Sequence, residues 1–86
     1  MPLNSTLGIV QRWMALDEAL SWGRVRIDRF AGEHGVNPKR VRQDLGDLQA
    51  LGQKVSRVEV EADGLIESCY RYAKGQRPLF ARNLSA

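Results

Sequence analysis

The sequence has few of the residues that form covalent cross-links or bind metal ions: one cysteine, Cys69, and one histidine, His34. A single cysteine cannot form a disulfide within the chain, so nothing points to an oxidising compartment. No Cys or Asp stands at metal-ligand spacing from His34, so we expect neither a metal site nor any other cofactor. These shortages argue against a disulfide-rich secreted scaffold and against a metalloprotein.

Long apolar runs and catalytic patterns are also missing. No stretch approaches the ~20 apolar residues of a membrane span, and residues 1–4 (MPLN) do not begin a signal peptide. We find no Gly-rich phosphate loop, and no Ser/His or Cys/His pair with a suitable third partner. The sequence therefore predicts a cytoplasmic protein with no enzymatic activity, no membrane contact and no evident small-molecule ligand.

What the sequence does have is enough apolar residues for one small domain. Of its 86 residues 43% are hydrophobic, which favours a folded chain with a thin core. Thirteen Lys and Arg against ten Asp and Glu give a net charge of +3. This mild excess permits binding to a polyanion without demanding it, so the distribution of charge matters more than its total.

Three helices are predicted in the first part of the chain. The first follows the capping residues 4–6 and runs to about Leu20. Residues 24–27 (RVRI) alternate like a short strand, and Asp28 suits the N-cap of a second helix over residues 29–34, ended by Gly35. Asn37 caps a third helix, with Pro38 at its first position, and Gly52 ends it.

The first helix carries two groups of apolar residues. One forms a stripe at helical spacing for the core, and the other can meet a partner chain or stay exposed. The stripe comprises Ile9, Trp13, Leu16 and Leu20, and the second group Leu7, Val10 and Met14. We interpret Trp13 and Trp22 as core or interface residues.

The pattern changes to β-structure after Lys54. β-Branched residues alternate with polar ones, residues 62–64 (ADG) predict a hairpin turn, and residues 65–72 alternate again. Cys69 is interpreted as a packed or idle thiol. Residues 76–86 are predicted to be a basic C-terminal tail after a domain of residues 1–75. The fold class is α+β, mainly α: a winged helix-turn-helix of three helices plus a C-terminal β-hairpin wing.

The third helix carries the functional pattern. Residues 27–52 place one apolar set in the core, namely Phe30, Ala31, Val36, Val41, Leu45, Leu48 and Leu51. At ~100° per residue, Lys39, Gln43 and Gly46 then point away from the core, with Arg40 and Arg42 on either side. Such basic and amide side chains can read guanine and adenine edges. Asp44 lies toward the core edge, where we expect it to pair with an arginine. The alternative is an ordinary solvated basic helix face.

Residues 36–45 (VNPKRVRQDL) resemble the recognition helix of DeoR-type repressors and of the N-terminal domain of WYL-domain regulators. Residues 30–35 (FAGEHG) are similar to the preceding helix of that family, and residues 49–52 (QALG) to its ending. The resemblance covers about residues 10–72, and it implies a winged helix-turn-helix fold and sequence-specific binding of duplex DNA.

Three residues depart from the family pattern: Asn37 replaces the usual Ser, Arg40 the usual Thr and Gln43 the second Arg. They keep the capping and groove-facing chemistry but imply a different target sequence. Family members also carry a C-terminal ligand-sensing domain, whereas this sequence ends at Ala86. The family's control by a bound effector is therefore not expected for this sequence.

We therefore expect a transcription regulator, a repressor that binds a palindromic operator as a homodimer. Two alternatives stay open: an accessory DNA-binding factor of a mobile element, and a winged helix used for protein–protein interaction. The residues expected to contact DNA lie at the start of the third helix, near the hairpin and in the tail. They are Asn37, Lys39, Arg40, Arg42, Gln43, Gly46, Arg57, Lys74 and Arg77.

Overall fold

The computed structural model describes residues 5–80, with side chains from residue 8 onward. Its elements are α1 (Ser5–Trp22), α2 (Ile27–Glu33), α3 (Pro38–Ala50), β1 (Val55–Ala62) and β2 (Leu65–Tyr72). The predicted α+β class is confirmed, and three helices followed by a hairpin are consistent with a winged-helix layout. The caps predicted at residues 4–6, the Leu7 side chain and residues 81–86 of the tail lie outside the described residues. Within residues 5–80, no helix is long and apolar enough to cross a bilayer.

The core forms where the three helices meet the base of the hairpin. α1 buries Leu16 and Leu20 of its predicted stripe, whereas Ile9 and Trp13 are half-buried. α1 extends to Trp22, whose side chain is 82% exposed and is therefore not a core residue. The buried cluster consists of Leu16, Leu20, Val25, Ile27, Phe30, Ala31, Val41, Leu45, Leu48 and Tyr72.

The connection from α1 to α2 differs from the prediction. The expected strand over residues 24–27 is a single antiparallel bridge, in which Val25 exchanges two backbone hydrogen bonds with Tyr70, at 2.7 and 2.8 Å. Ile27 already belongs to α2, because Ile27, Phe30 and Ala31 form its buried stripe. The N-cap is therefore Arg26, not Asp28. Asp28 lies in the first turn, where its charge is favourable to the helix dipole.

The predicted boundaries of α3 are confirmed to within one residue. Asn37 Oδ1 accepts a hydrogen bond from the backbone N–H of Lys39 at 2.8 Å, and Pro38 is the first helical residue. The helix ends at Ala50, and Gly52 follows with a φ of 103°, a conformation that favours glycine. Leu51, predicted in the core, is exposed instead because the helix has already ended and the chain turns away.

The hairpin forms as predicted. β1 and β2 pair antiparallel from Val55 opposite Tyr72 to Ala62 opposite Leu65. Asp63 and Gly64 join them with φ values of 53° and 79°, the positive values that a two-residue type I′ turn requires. The hairpin is therefore a regular ribbon whose base joins the core and whose tip projects from it.

The beginning of the predicted tail, residues 76–80, packs against the domain. The carboxylate of Asp17, fully buried in α1, accepts hydrogen bonds from Tyr72 Oη, from Leu79 N at 2.8 Å and from Phe80 N at 2.9 Å. Gln53 Nε2 donates to the carbonyl of Arg77 at 2.7 Å. Burial, reinforced by the bond to Asp17, raises the pKa of Tyr72. The buried Asp17 thus joins α1, β2 and the C-terminal segment.

Candidate nucleic-acid interface

The N-terminal half of α3 presents its polar side chains to solvent. Lys39, Arg40, Arg42 and Gln43 are all exposed, whereas Val41 is fully buried between them. Within residues 8–80, none of the three cations forms an ion pair. Three positive charges without counter-charges, next to an amide side chain, lie along about one and a half turns of helix. This half of α3 can accept a polyanion without first breaking a salt bridge.

A buried ion pair fixes α3 against α1. Arg12 Nε and Nη2 both donate to the carboxylate of Asp44, the second at 3.2 Å, and the Asp44 side chain is only 3% exposed. The hydrogen bond to Asp44 raises the pKa of Arg12, partly opposed by burial. The expected pairing of Asp44 with an arginine is confirmed. A two-pronged pair of this kind restricts rotation of α3 about its own axis, and so holds its exposed residues in place.

A groove of about 300 Å³ separates α3 from the hairpin. Arg42 lines it on the α3 side, Arg26 at the start of α2, and Ser68 and Tyr70 on β2. Arg57, one strand further out, donates to Ser68 Oγ from Nε at 3.2 Å and from Nη2 at 2.9 Å. Arg42 therefore lines the groove directly, whereas Arg57 is connected to it only through Ser68.

Arginines that the sequence analysis did not select extend this basic surface. A second groove, of about 210 Å³, is lined by Arg24, Arg26 and Arg29. Because Arg26 lines both grooves, Arg24, Arg26, Arg29 and Arg42 form an arginine strip from the start of α2 to α3. Acidic residues interrupt it, since Arg29 pairs with Glu33 at 3.6 Å and Arg26 with Glu67 at 3.2 Å. The alternation of residues 24–26 around the buried Val25 was the signal for it, since it turns Arg24 and Arg26 to the same side.

Lys74 and Arg77 do not join this surface. The backbone N–H of Ala73 donates to the carbonyl of Lys54 at 2.8 Å, which places Lys74 beside the residues that follow α3. Arg77 is held in the same region through its carbonyl and Gln53. A helix of 13 residues is ~20 Å long, so both lie about a helix length from Lys39. Any contact they make with a ligand of α3 is made at its far end.

Gly46 is exposed on α3, and a Cβ added there would meet nothing within 4 Å. No packing within the described chain therefore requires a glycine. We predict that Gly46→Gln stabilises the domain by ~1 kcal/mol, because glycine is a poor helix former. If this face approaches DNA closely, the same variant should bind an operator at least about tenfold more weakly. Thermal melting and a binding titration measure the two effects, with Gly46→Ala as the smaller control. A stabilised Gly46→Gln that binds like wild type would exclude close approach.

The second apolar group of α1 is only partly free for a partner chain. Val10 lines a groove of about 390 Å³ between α1 and α3, together with Ile9 and Trp13. Met14 is 46% exposed. On another side of the helix, Asp17 is covered by the segment that carries Leu79 and Phe80. The homodimer stays a prediction, and sedimentation with and without duplex DNA measures it.

The remaining candidates for chemistry are packed or isolated. Cys69 is buried in β2, and the His34 ring lies against Phe30 with 4.1 Å between centroids. Among the described residues, no group of three His, Cys, Asp or Glu side chains could hold a metal ion. The basic surface around α3 is therefore the part of the described chain best suited to bind a ligand. Comparisons with protein-family models, curated proteins and solved structures find no match to this chain.

Proposed function

We propose that this chain is a winged helix-turn-helix domain that binds duplex DNA in a sequence-specific way. We further propose that it is a cytoplasmic protein and acts as a transcriptional repressor. The observation that carries the proposal is the exposed start of α3, where Lys39, Arg40 and Arg42 have no counter-charge among residues 8–80 and Gln43 lies beside them. A helix of this width fits the major groove of B-DNA.

The chemistry of these side chains supports base readout rather than charge alone. Arginine and lysine donate to O6 and N7 of guanine, and glutamine pairs with N6 and N7 of adenine. The Arg12–Asp44 pair holds α3 in one orientation, which matters because base readout depends on the direction of each hydrogen bond.

The side chains of the arginine strip are placed to contact the phosphate backbone of DNA. In helix-turn-helix proteins the helix before the recognition helix crosses the backbone, and here Arg24, Arg26 and Arg29 lie at the start of that helix. Contacts of this kind fix register and raise affinity without reading sequence. We therefore assign base contacts to the start of α3 and phosphate contacts to the arginine strip.

Selection of bound sequences from a pool of random duplexes tests the proposal, with Gln43→Ala selected in parallel. We expect wild type to enrich a defined site. Gln43→Ala should relax one position of that site, at a cost of ~1–3 kcal/mol for the favoured base, because its amide can no longer pair with adenine. Gln49→Ala, on the exposed C-terminal half of α3, is the matched control. Equal relaxation by both variants would contradict a specific role for Gln43.

The same selection separates the proposal from its alternatives. Failure to enrich any sequence, together with duplex binding that does not weaken with salt, would contradict DNA recognition and favour a protein partner. Enrichment of inverted half-sites about one helical turn apart would support binding as a homodimer.

A further inference from the structure

The hairpin is acidic, although the rest of the chain is basic. The hairpin, residues 55–72, contains four of the ten acidic residues, Glu59, Glu61, Asp63 and Glu67, and two of the thirteen basic residues, Arg57 and Arg71. At the tip, Leu65 and Ile66 are 66% and 70% exposed. A hairpin that served to clamp the phosphate backbone would be expected to carry the opposite charge.

Two of these carboxylates pair with arginines, one of which lines the α3–hairpin groove. Glu67 Oε2 is 3.2 Å from Arg26 Nη2, and Glu59 Oε2 is 3.5 Å from Arg57 Nη2. Arg26 belongs to both the groove and the arginine strip, and Glu67 lines the same groove. Arg42, the other arginine that lines the groove, has no carboxylate partner among residues 8–80.

We propose that Glu67 acts as an internal substitute for a DNA phosphate. It holds Arg26 in the free protein, and a duplex binds fully only by exchanging this carboxylate for a phosphate oxygen. The inference rests on the proposed function and names a residue that limits affinity at the same surface. The hairpin, on this view, lowers binding to DNA of any sequence instead of adding to it.

A phosphate can replace the Glu67 carboxylate on Arg26 because both side chains are partly exposed. The side chains of Arg26 and Glu67 are 44% and 33% exposed, so their pair is weak enough for a phosphate to replace. After the exchange, Glu67 is left beside the backbone, where its charge is unfavourable. A duplex that also gains base contacts at α3 can compensate for this cost, whereas a duplex with the wrong sequence cannot. Because this cost applies to every duplex, Glu67 lowers specific and non-specific affinity by a similar factor, and only a duplex with base contacts keeps enough affinity to be bound.

The test compares Glu67→Gln with Glu61→Gln, both measured against duplexes with and without the selected site. Each variant removes one charge from the hairpin, but no ion pair of Glu61 is found among residues 8–80. We expect Glu67→Gln to tighten binding to non-specific duplex about three- to fivefold, since a weak surface pair is released. Glu61→Gln should tighten it by under about twofold, because salt screens a distant charge. Thermal melting verifies that both variants are folded.

A second comparison isolates Arg26. In an Arg26→Gln background, Glu67→Gln should give no more gain than Glu61→Gln, because the cation to be released is gone. Equal effects of the two glutamine variants in the wild-type background would overturn the exchange and leave DNA binding by wild type intact. A gain from Glu67→Gln that persists without Arg26 would also overturn it, as an effect of overall charge. Absence of duplex binding in every variant would overturn both this inference and the proposed function.

Discussion

Replacing Lys39, Arg40 and Arg42 together by alanine is expected to lower the affinity for the selected duplex at least about 100-fold. The three cations are exposed and lack ion pairs within residues 8–80, so their removal disrupts no salt bridge of the folded chain. For every phosphate that the variant no longer neutralises, the slope of log affinity against log salt should also fall by ~0.9. Titrations at several salt concentrations measure both quantities.

The matched control removes the same charge at Lys54, Arg71 and Lys74, all exposed at the base of the hairpin and outside the N-terminal half of α3. It should lower the salt slope by no more than about one and leave the preferred sequence unchanged. The α3 variant should remain folded, because alanine is the best helix former at exposed positions. If the two triple variants were weakened equally, binding would depend on net charge and α3 would have no special role.

The second large effect concerns folding. We expect Asp17→Ala to lower the free energy of unfolding by about 3 kcal/mol or more, because Tyr72 Oη and the amides of Leu79 and Phe80 would then have no buried acceptor at this position. In a domain of this size, that corresponds to a decrease in Tm of at least about 12 °C. Glu18→Ala, exposed on the next residue of α1, should change stability by under about 0.5 kcal/mol. Urea unfolding followed by circular dichroism measures both.

Asp17→Asn and alkaline pH provide independent measurements of the same site. The amide keeps one oxygen but turns an N–H₂ group toward one of the donors, so Asp17→Asn should lower the free energy of unfolding by less than Asp17→Ala does.

Tyr72 has a pKa above the ordinary 10.0 in the folded state, so its protonated form is favoured by folding. That contribution is fully present below pH 10 and is lost as the pH rises above it. A wild-type domain whose stability is constant from pH 9 to 11 would contradict this role of Tyr72.

The elements predicted well are those specified by neighbouring residues. Asn37, Pro38 and Gly52 mark the ends of α3, and the Asp63–Gly64 pair marks the hairpin turn, because caps and tight turns depend on a few consecutive residues. The exposed half of α3 followed from helical period alone. The start of α2 was misplaced because it depends on the bridge between Val25 and Tyr70, which are 45 positions apart in the sequence.

The same reason explains what was missed at the candidate interface. The alternation of residues 24–26 indicates only that Arg24 and Arg26 face the same side. The bridge at Val25 brings Arg26 beside β2, and no local pattern contains that information. The sequence did not single out Asp17. Its donors follow it by 55 to 63 residues, so only the folded chain reveals that it is buried and bonded.

The position of Asp17 also constrains the order in which this chain can complete its fold during synthesis. Its backbone donors at Leu79 and Phe80 are 62 and 63 residues downstream, so α1, although made first, cannot bury this carboxylate among its final partners until residue 80 has left the ribosome. Contacts of such long sequence separation form late, because the chain must close a large loop to make them. Nascent chains of this protein therefore lack the stability that the Asp17 hydrogen bonds contribute until that point.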